Sequence, residues 1–389
     1  MMGEGKGYGH SGESLVASTL NGCQSASCHQ LDARAHSMLY SPCSHGGIMK
    51  VARYYSVDDV RIEDMPIPVP GPGEIVVRVA ACGVCGSDVM DWYTQKKAPA
   101  VLGHEPAGVI TAVGSGISTF REGDRVFMHH HVPCFVCHYC RRGFYSNCAM
   151  FQQTHLDPGG FAEYVRVPAP NVERDVLKLP DSMSYDVATF IEPVGTIIRG
   201  VERARLRHGD TVAIIGAGLT GLLFIQAARL WGGRQITALD LQDWRLDYAR
   251  RVGAARTVNP AREDAVAAVQ ELTGGRGADV VFVCAASIPA MELAMRLTAR
   301  GGTILIFAPP PPDARLAISP HDILFHELTI TGTYSTAPGE TRLALDLLTD
   351  GRINVEDLIT HRLALADVKR ALDMTREAKE SIKVLIEMG

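Results

Sequence analysis

The chain has no run approaching about 18 uninterrupted apolar residues, so no membrane-spanning helix is expected. It has no excess of basic residues: 38 Lys and Arg stand against 43 Asp and Glu in 389 residues, a formal charge of −5. Phosphate backbones select the opposite balance, which argues against nucleic acid as a partner. No repeat at a fixed period is present, which excludes a solenoid. The first residues lack the basic and apolar segments of a secretory signal and the Arg-rich pattern of a transit peptide, so a cytoplasmic location is expected. What remains is an ordinary globular balance, 46% hydrophobic and 21% charged, in a chain long enough for two domains.

Residues 1–48 differ from the rest. They are rich in Gly, Ser, Ala, Cys and His and show no apolar period, so they read as a disordered extension. Cys23, Cys28, His29 and Cys43 are too irregularly spaced to suggest a metal site. Alternation begins at Met49. From there to about residue 190 the signals are short strands and turns, such as 75–80 and 107–113. Beyond about 195 apolar strands alternate with helices: Thr211–Ile215, Leu219–Leu230, 235–240, 245–251, 279–284, 289–297 and 303–308. That alternation predicts βαβ units and a parallel sheet. The proline run at 309–312 is expected to end it as a hinge or crossover loop.

The strand Thr211–Ile215 runs into Gly216-Ala217-Gly218-Leu219-Thr220-Gly221. A G-x-G-x-x-G in this context is a dinucleotide-binding turn. Gly216 makes the tight turn, Gly218 admits a pyrophosphate, and Gly221 lets the helix pack on the sheet. The N–H groups at Leu219 and Thr220 open the helix toward the phosphates. Asp240 closes the next strand, where a carboxylate accepts from ribose hydroxyls and disfavours a 2′-phosphate. Arg245 follows and could serve NADP, so NAD is favoured over NADP.

Cys134-x-x-Cys137-x-x-Cys140-x7-Cys148 places four soft ligands on one loop. Ten cysteines in so long a chain read as metal ligands before disulfides. Four thiolates close a tetrahedral site and leave no open position, so a structural zinc is expected. An iron–sulfur cluster is the weaker alternative. A second set is scattered: Cys85 in VCGSD, His104 and Glu105 in LGHEP, and Glu192 in FIEP. Each has a bland explanation alone. Together they form a thiolate, imidazole and carboxylate set that suits a catalytic zinc with an open position. His129, His130 and His131 are adjacent. On a strand their side chains would alternate, so they are read as surface or pocket-lining rather than as a single site.

With these stretches in view, the chain resembles the zinc-dependent medium-chain alcohol and polyol dehydrogenases, in the sorbitol and threonine dehydrogenase branch. The resemblance is carried by CGVCGSD, LGHEPAGVI, GDRV, CFVCHYCRRGFYSNC, GGFAEYV, FIEPVGT, GAGLTGLL and LITHRLAL, in that order, from Met49 to the C-terminus. It implies an α/β protein with a GroES-like, mostly β catalytic domain over 49–194 and a structural zinc lobe at 134–148. A Rossmann doubly wound parallel-sheet NAD domain would span 195–332, with 333–389 completing the catalytic domain. It implies two Zn2+ per chain: Cys85, His104, Glu105 and Glu192 at a catalytic ion, with Glu192 joining the metal or holding its water, and Cys134, Cys137, Cys140 and Cys148 at a structural one. Gly216, Gly218, Gly221 and Asp240 match the NAD site.

Ser87, Glu105 and Glu192 take catalytic roles, Ser87 as the hydroxyl that passes the alcohol proton outward. The reaction implied is hydride transfer between a secondary alcohol (a polyol, sugar alcohol or amino alcohol) and NAD(P), with a small-molecule alcohol or ketone as partner. A homodimer or homotetramer is implied by analogy. Two departures stand out. The usual relay His five residues after the ligand Cys is Met90, leaving water, the ribose or His155 to finish the relay. No Arg stands beside Tyr334, where sorbitol-type members pair Arg with Tyr, so sorbitol itself is not the expected substrate. The rival readings are a zinc-free enone or quinone reductase of the same superfamily and a non-enzymatic zinc- and NAD-binding redox sensor.

Overall fold

The computed structural model describes residues 47–389; the extension expected at the N-terminus falls, up to residue 46, outside the described residues. The first described element is strand Ile48–Ser56, whose alternate residues Met49 and Val51 are buried. It pairs antiparallel with Asp59–Pro66 and with Ala100–Val101 in a three-stranded sheet. A second sheet runs in the order Ile359–Ala364, Lys383–Glu387, Ile75–Gly83, Glu105–Val113, Arg125–Met128, Val176–Lys178, with Tyr164–Val167 pairing the central Ile75–Gly83. Its neighbours are antiparallel except the first two. The last residues of the chain therefore complete a sheet begun near its start.

Between these segments lies a six-stranded sheet in which every pairing is parallel. Its order is Arg256–Val258, Gln235–Leu239, Thr211–Ile215, Ala278–Val283, Thr298–Ile306, Thr329–Gly332. The chain starts in the middle, winds outward, then returns to wind the other way. The reversal falls between Thr211–Ile215 and Ala278–Val283, the point at which doubly wound sheets open a crevice. Thr211–Ile215 is buried along its whole length, as expected for a strand covered by helices on both faces. The proline run at 309–312 does not end the alternation. It lengthens one crossover, after which helix Pro320–His326 and strand Thr329–Gly332 add a sixth strand. Prolines cannot donate to a ladder but can occupy a connection without cost to it.

Helix Ile191–Ala204 ties these parts together. Its apolar residues Val194, Ile197, Ile198 and Val201 are fully buried in a cluster with Leu222, Phe224 and Phe282 of the parallel-sheet region. From its polar side Arg199 donates to Glu340 at 2.9 Å and to the Gly143 carbonyl at 3.0 Å. Arg203 donates to the same carbonyl at 2.8 Å. Arg199 is 4% exposed and Glu340 9%. Removing one partner of such a buried pair strands the other, at a cost of about 3–5 kcal/mol. Arg199→Ala is therefore expected to lower unfolding free energy in urea by about 3 kcal/mol. The Arg199→Ala/Glu340→Ala double variant should lose less than the sum of the single losses.

Candidate active site and metal centres

Two turns and one strand end build the centre. Strand Ile75–Gly83 leads into Cys85, which precedes a short 3-10 turn, Gly86–Val89. Asp88 in that turn reaches back and accepts from the Cys85 N–H at 3.0 Å. The same carboxylate lies 3.3 Å from His104 Nδ1. Glu105 opens strand Glu105–Val113, directly paired with Gly83. One ligand atom from each of Cys85, His104 and Glu105 lies within 4.8 Å of the others. Two segments separated in sequence, Cys85 and His104-Glu105, thus converge because neighbouring strands of one sheet carry them. Ser87 Oγ stands 3.4 Å from His104 Nε2. Burial alone would lower the His104 imidazole, but Asp88 and Cys85 outweigh it and hold it well above its ordinary value.

Glu105 is 1% exposed and is paired with Lys383, itself 1% exposed. Lys383 Nζ also donates to the Val84 carbonyl at 3.1 Å. Burial pushes the ammonium down, and the charges of Glu105 and Cys85 more than restore it. The pair occupies space that exists only because residue 83 is glycine: a Cβ there would collide with the Glu105 carboxylate and the Lys383 side chain.

Glu192 begins helix Ile191–Ala204 and is 6% exposed. Burial raises its pKa, offset in part by His104. The structure groups its carboxylate with His129 and His130, ligand atoms again within 4.8 Å of one another. Of the two places expected for the histidine run, surface or lining of the site, burial leaves the second. His129 is 0% and His131 7% exposed, so neither lies on the surface. Strand Arg125–Met128 ends before the run, and without strand geometry the alternation that would have separated His129 from His130 does not apply. Burial pushes His131 down to about 3 and depresses His130 as well. His155, the suggested end of a proton relay, is exposed and sets its ring 4.9 Å from that of His131.

The four cysteines of the lobe gather as a second set within 4.8 Å. Cys134 Sγ and Cys140 Sγ are 3.9 Å apart, close to the edge of about 3.8 Å between thiolates bound at about 2.3 Å to a tetrahedral ion. The Cys137 N–H points at Cys134 Sγ and the Cys134 N–H at Cys148 Sγ, both at 3.4 Å. Backbone N–H groups at Val136 and Cys137 draw the Cys134 thiol down to about 6, while burial pushes Cys140 up to about 12. All described cysteines are free thiols.

In the parallel-sheet region Gly216 adopts φ +99°, and a Cβ at Gly221 would collide with the Gly216 carbonyl. At Gly218 a Cβ would meet nothing, so the turn leaves room for a ligand at the N-terminus of helix Leu219–Leu230. Asp240 accepts from the Ala217 N–H and the Gln242 N–H, each at 2.8 Å. Its carboxylate thus holds the glycine turn, and Arg245 Nη1 lies 3.7 Å away.

Comparison with known proteins agrees with this architecture. Residues 71–181 match the alcohol dehydrogenase GroES-like domain and residues 220–350 the zinc-binding dehydrogenase domain. The chain is 31% identical to sorbitol dehydrogenase of Bacillus subtilis over 348 residues, covering 87% of this chain and 97% of that enzyme. It is 31% identical to L-threonine 3-dehydrogenase of Bacillus velezensis, over 88% of this chain and 99% of the relative. A crystal structure of a zinc-binding dehydrogenase homologue from Sinorhizobium meliloti 1021, bound to NADP, superposes with a TM-score of 0.79 at 32% identity, covering 88% of this chain and 99% of the other. The chain belongs to the zinc-dependent medium-chain alcohol and polyol dehydrogenases, and it is an oxidoreductase acting on CH–OH groups with a nicotinamide cofactor.

Sequence reading assigned no role to Lys383, Asp88 or Asp175. Lys383 did carry a signal, a lone cation in the strand Lys383–Glu387, whose next three residues are apolar. Asp175 did not, since it meets His129 from 46 residues away. Gly83→Ala is expected to displace Glu105 and Lys383. The variant should lose one zinc per chain and most activity while the cysteine lobe keeps its ion, as measured by elemental analysis beside turnover.

Proposed function

We propose that the enzyme oxidises a secondary hydroxyl of a small polyol or amino alcohol to a ketone, with NAD favoured as hydride acceptor. One zinc would be catalytic, at Cys85, His104 and Glu105, and one structural, at Cys134, Cys137, Cys140 and Cys148. The observation that carries this reading is the convergence of a thiol, an imidazole and a carboxylate with the Ser87 hydroxyl beside them. That donor set suits zinc and leaves a position open to substrate. When bound, zinc supplies Lewis acidity that makes a hydroxyl acidic near neutral pH, as it lowers the pKa of water from 15.7 to about 7. A bound oxidised nicotinamide would supply the acceptor for the hydride of the carbinol carbon, the hydroxyl proton leaving as H+.

The chain's own groups divide the remaining work. Asp88 holds the His104 ring through Nδ1, which leaves Nε2, beside the Ser87 hydroxyl, as the nitrogen that would meet the metal. Lys383 offsets the Glu105 charge and anchors it. Ser87 Oγ takes the hydroxyl proton toward solvent, a step that Met90 cannot continue because a thioether does not titrate. Gly216, Gly218, Leu219, Thr220 and Gly221 receive the pyrophosphate on N–H groups. Asp240, already oriented by two N–H donors, faces the ribose, with Arg245 close by as the group a 2′-phosphate would need. The threonine and sorbitol dehydrogenase relatives support an amino alcohol or polyol substrate. A panel of sugar alcohols and amino alcohols with NAD and NADP, followed by nicotinamide absorbance, tests this. Turnover with NAD is expected, and Asp240→Asn should move the NAD-to-NADP preference by about tenfold, or 1.4 kcal/mol. No reduction of either cofactor across the panel would refute it.

A homodimer is also part of this proposal. Strand Thr329–Gly332 ends the parallel sheet, and the helix before it exposes Leu324 at 70% and Phe325 at 64%. An open edge beside exposed apolar side chains suits pairing with a second copy. Light scattering should give a dimer or a multiple of it, and Phe325→Asp should shift the distribution toward monomer.

A further inference from the structure

Among the described residues, Lys50, Lys178, Lys369, Lys379 and Lys383 each have a carboxylate partner. The described lysines without one are neighbours, Lys96 and Lys97. The acid of their own segment, Asp91, is turned to Arg376 at 3.6 Å. The segment is anchored at Thr94, which is 2% exposed. The Thr94 hydroxyl donates to Tyr54 Oη at 3.1 Å, and its carbonyl accepts from the Lys97 N–H at 2.9 Å. Lys97 Nζ stands 4.1 Å from the centroid of the Tyr93 ring. A ring face steadies an ammonium without using up its three N–H donors.

Two contacts turn this ammonium toward the site. The Tyr93 hydroxyl lies 3.3 Å from that of Tyr334, on the loop that leaves the last parallel strand, Thr329–Gly332. Burial raises the Tyr334 phenol, the Tyr93 hydrogen bond raises it further, and Lys97 opposes both. Burial also lowers the His155 imidazole, and Lys97 adds to the effect, so His155 is uncharged near neutral pH. A row of imidazoles joins exposed His155 to the centre. The rings of His155 and His131 are 4.9 Å apart, those of His131 and His130 4.1 Å, and those of His130 and His104 5.0 Å. Lys97 is thus felt on the Tyr334 loop and at the outer end of the row, an ammonium among uncharged donors. On the same loop Thr333 Oγ1 and Ser335 Oγ are buried without a partner among the described residues. Hydroxyls in this state ordinarily face a ligand or a water.

We propose that Lys97 binds the anionic end of an elongated substrate, with the Tyr93 and Tyr334 hydroxyls beside it, so that the preferred alcohol is a polyol ending in a phosphate or a carboxylate. The proposal rests on the dehydrogenase reading above and deepens it. Phosphate and carboxylate share the chemistry that matters, oxygens that accept from ammonium and phenol donors. The reacting hydroxyl goes to the centre at Cys85, His104 and Glu105, and the anion to the outer end of the imidazole row. An unpaired cation there also steers an anionic substrate inward.

The test uses the full chain loaded with zinc and NAD. Pentitol and hexitol monophosphates form one arm and the matching aldonic acids the other, each compared with its uncharged parent. The readout is the ratio of kcat/KM for charged over uncharged substrate. The wild type should favour at least one charged arm, and that arm names the anion. Lys97→Met should lower the ratio about tenfold, the worth of one charge-assisted hydrogen bond, through KM rather than kcat. Lys97→Arg should retain it. Added sodium chloride should erode the wild-type ratio and leave that of Lys97→Met flat. A wild-type preference for the uncharged parent in both arms, or equal ratios in wild type and Lys97→Met, would overturn the proposal and leave the dehydrogenase reading intact. No turnover of any compound in the panel would overturn both.

Discussion

A carboxylate at 1% exposure has lost its water, and everything around Glu105 follows from replacing that water with something else. Lys383 supplies part of the replacement from the chain's last strand. A bound cation supplies the rest in the proposed enzyme. Desolvating a charge is costly, and pairing recovers the cost only when geometry is good and the remaining polar atoms are satisfied. The geometry here depends on Gly83, on Asp88 holding the Cys85 N–H, and on the Val84 carbonyl accepting from Lys383. Gly83, Glu105 and Lys383 lie on adjacent strands of one sheet, so register errors there would scatter the ligands.

That dependence explains why the chain's last strand must return to an early one. Strand Lys383–Glu387 pairs with Ile75–Gly83, and the parallel sheet is inserted between them in sequence. The insertion is what gives a Lewis-acid centre and a dinucleotide turn to one chain. The centre is rigid because a sheet carries it. The turn keeps its shape through the Asp240 carboxylate, which bonds to the turn's own Ala217 N–H. Orientation of two reacting partners by separate rigid elements is a large source of rate enhancement.

Much of the fold was legible because its signals are local. Thr211–Ile215 and Leu219–Leu230 announce themselves through an unbroken apolar run, a glycine turn and a helical period. The cysteine lobe is equally local, four ligands within fifteen residues. Other features were hidden because they are made by tertiary contact. Asp175 reaches His129, and Lys383 reaches Glu105 from 278 residues away. No periodicity encodes such a meeting. The histidine run is legible as lining of the site, but not which of its rings converge. Strand alternation stops at Met128, where the backbone leaves the sheet, and burial beyond it follows the site instead of the pleat.

The same helix links the lobe to the chemistry. Ile191–Ala204 carries Glu192 in its first turn, and its Arg199 and Arg203 grip the Gly143 carbonyl within the lobe. Arg203 also lies 4.4 Å over the Phe144 ring and Arg199 5.3 Å over that of Tyr145. A carbonyl can accept from two guanidinium groups only while its loop holds one shape, and that shape goes with the gathering of four cysteine side chains in residues 134–148. Because a helix is stiff along its axis, the position of Gly143 and the position of Glu192 are set together. In the proposed enzyme a cysteine cluster with no open coordination position would act on the reaction through geometry alone, by fixing where a buried carboxylate sits.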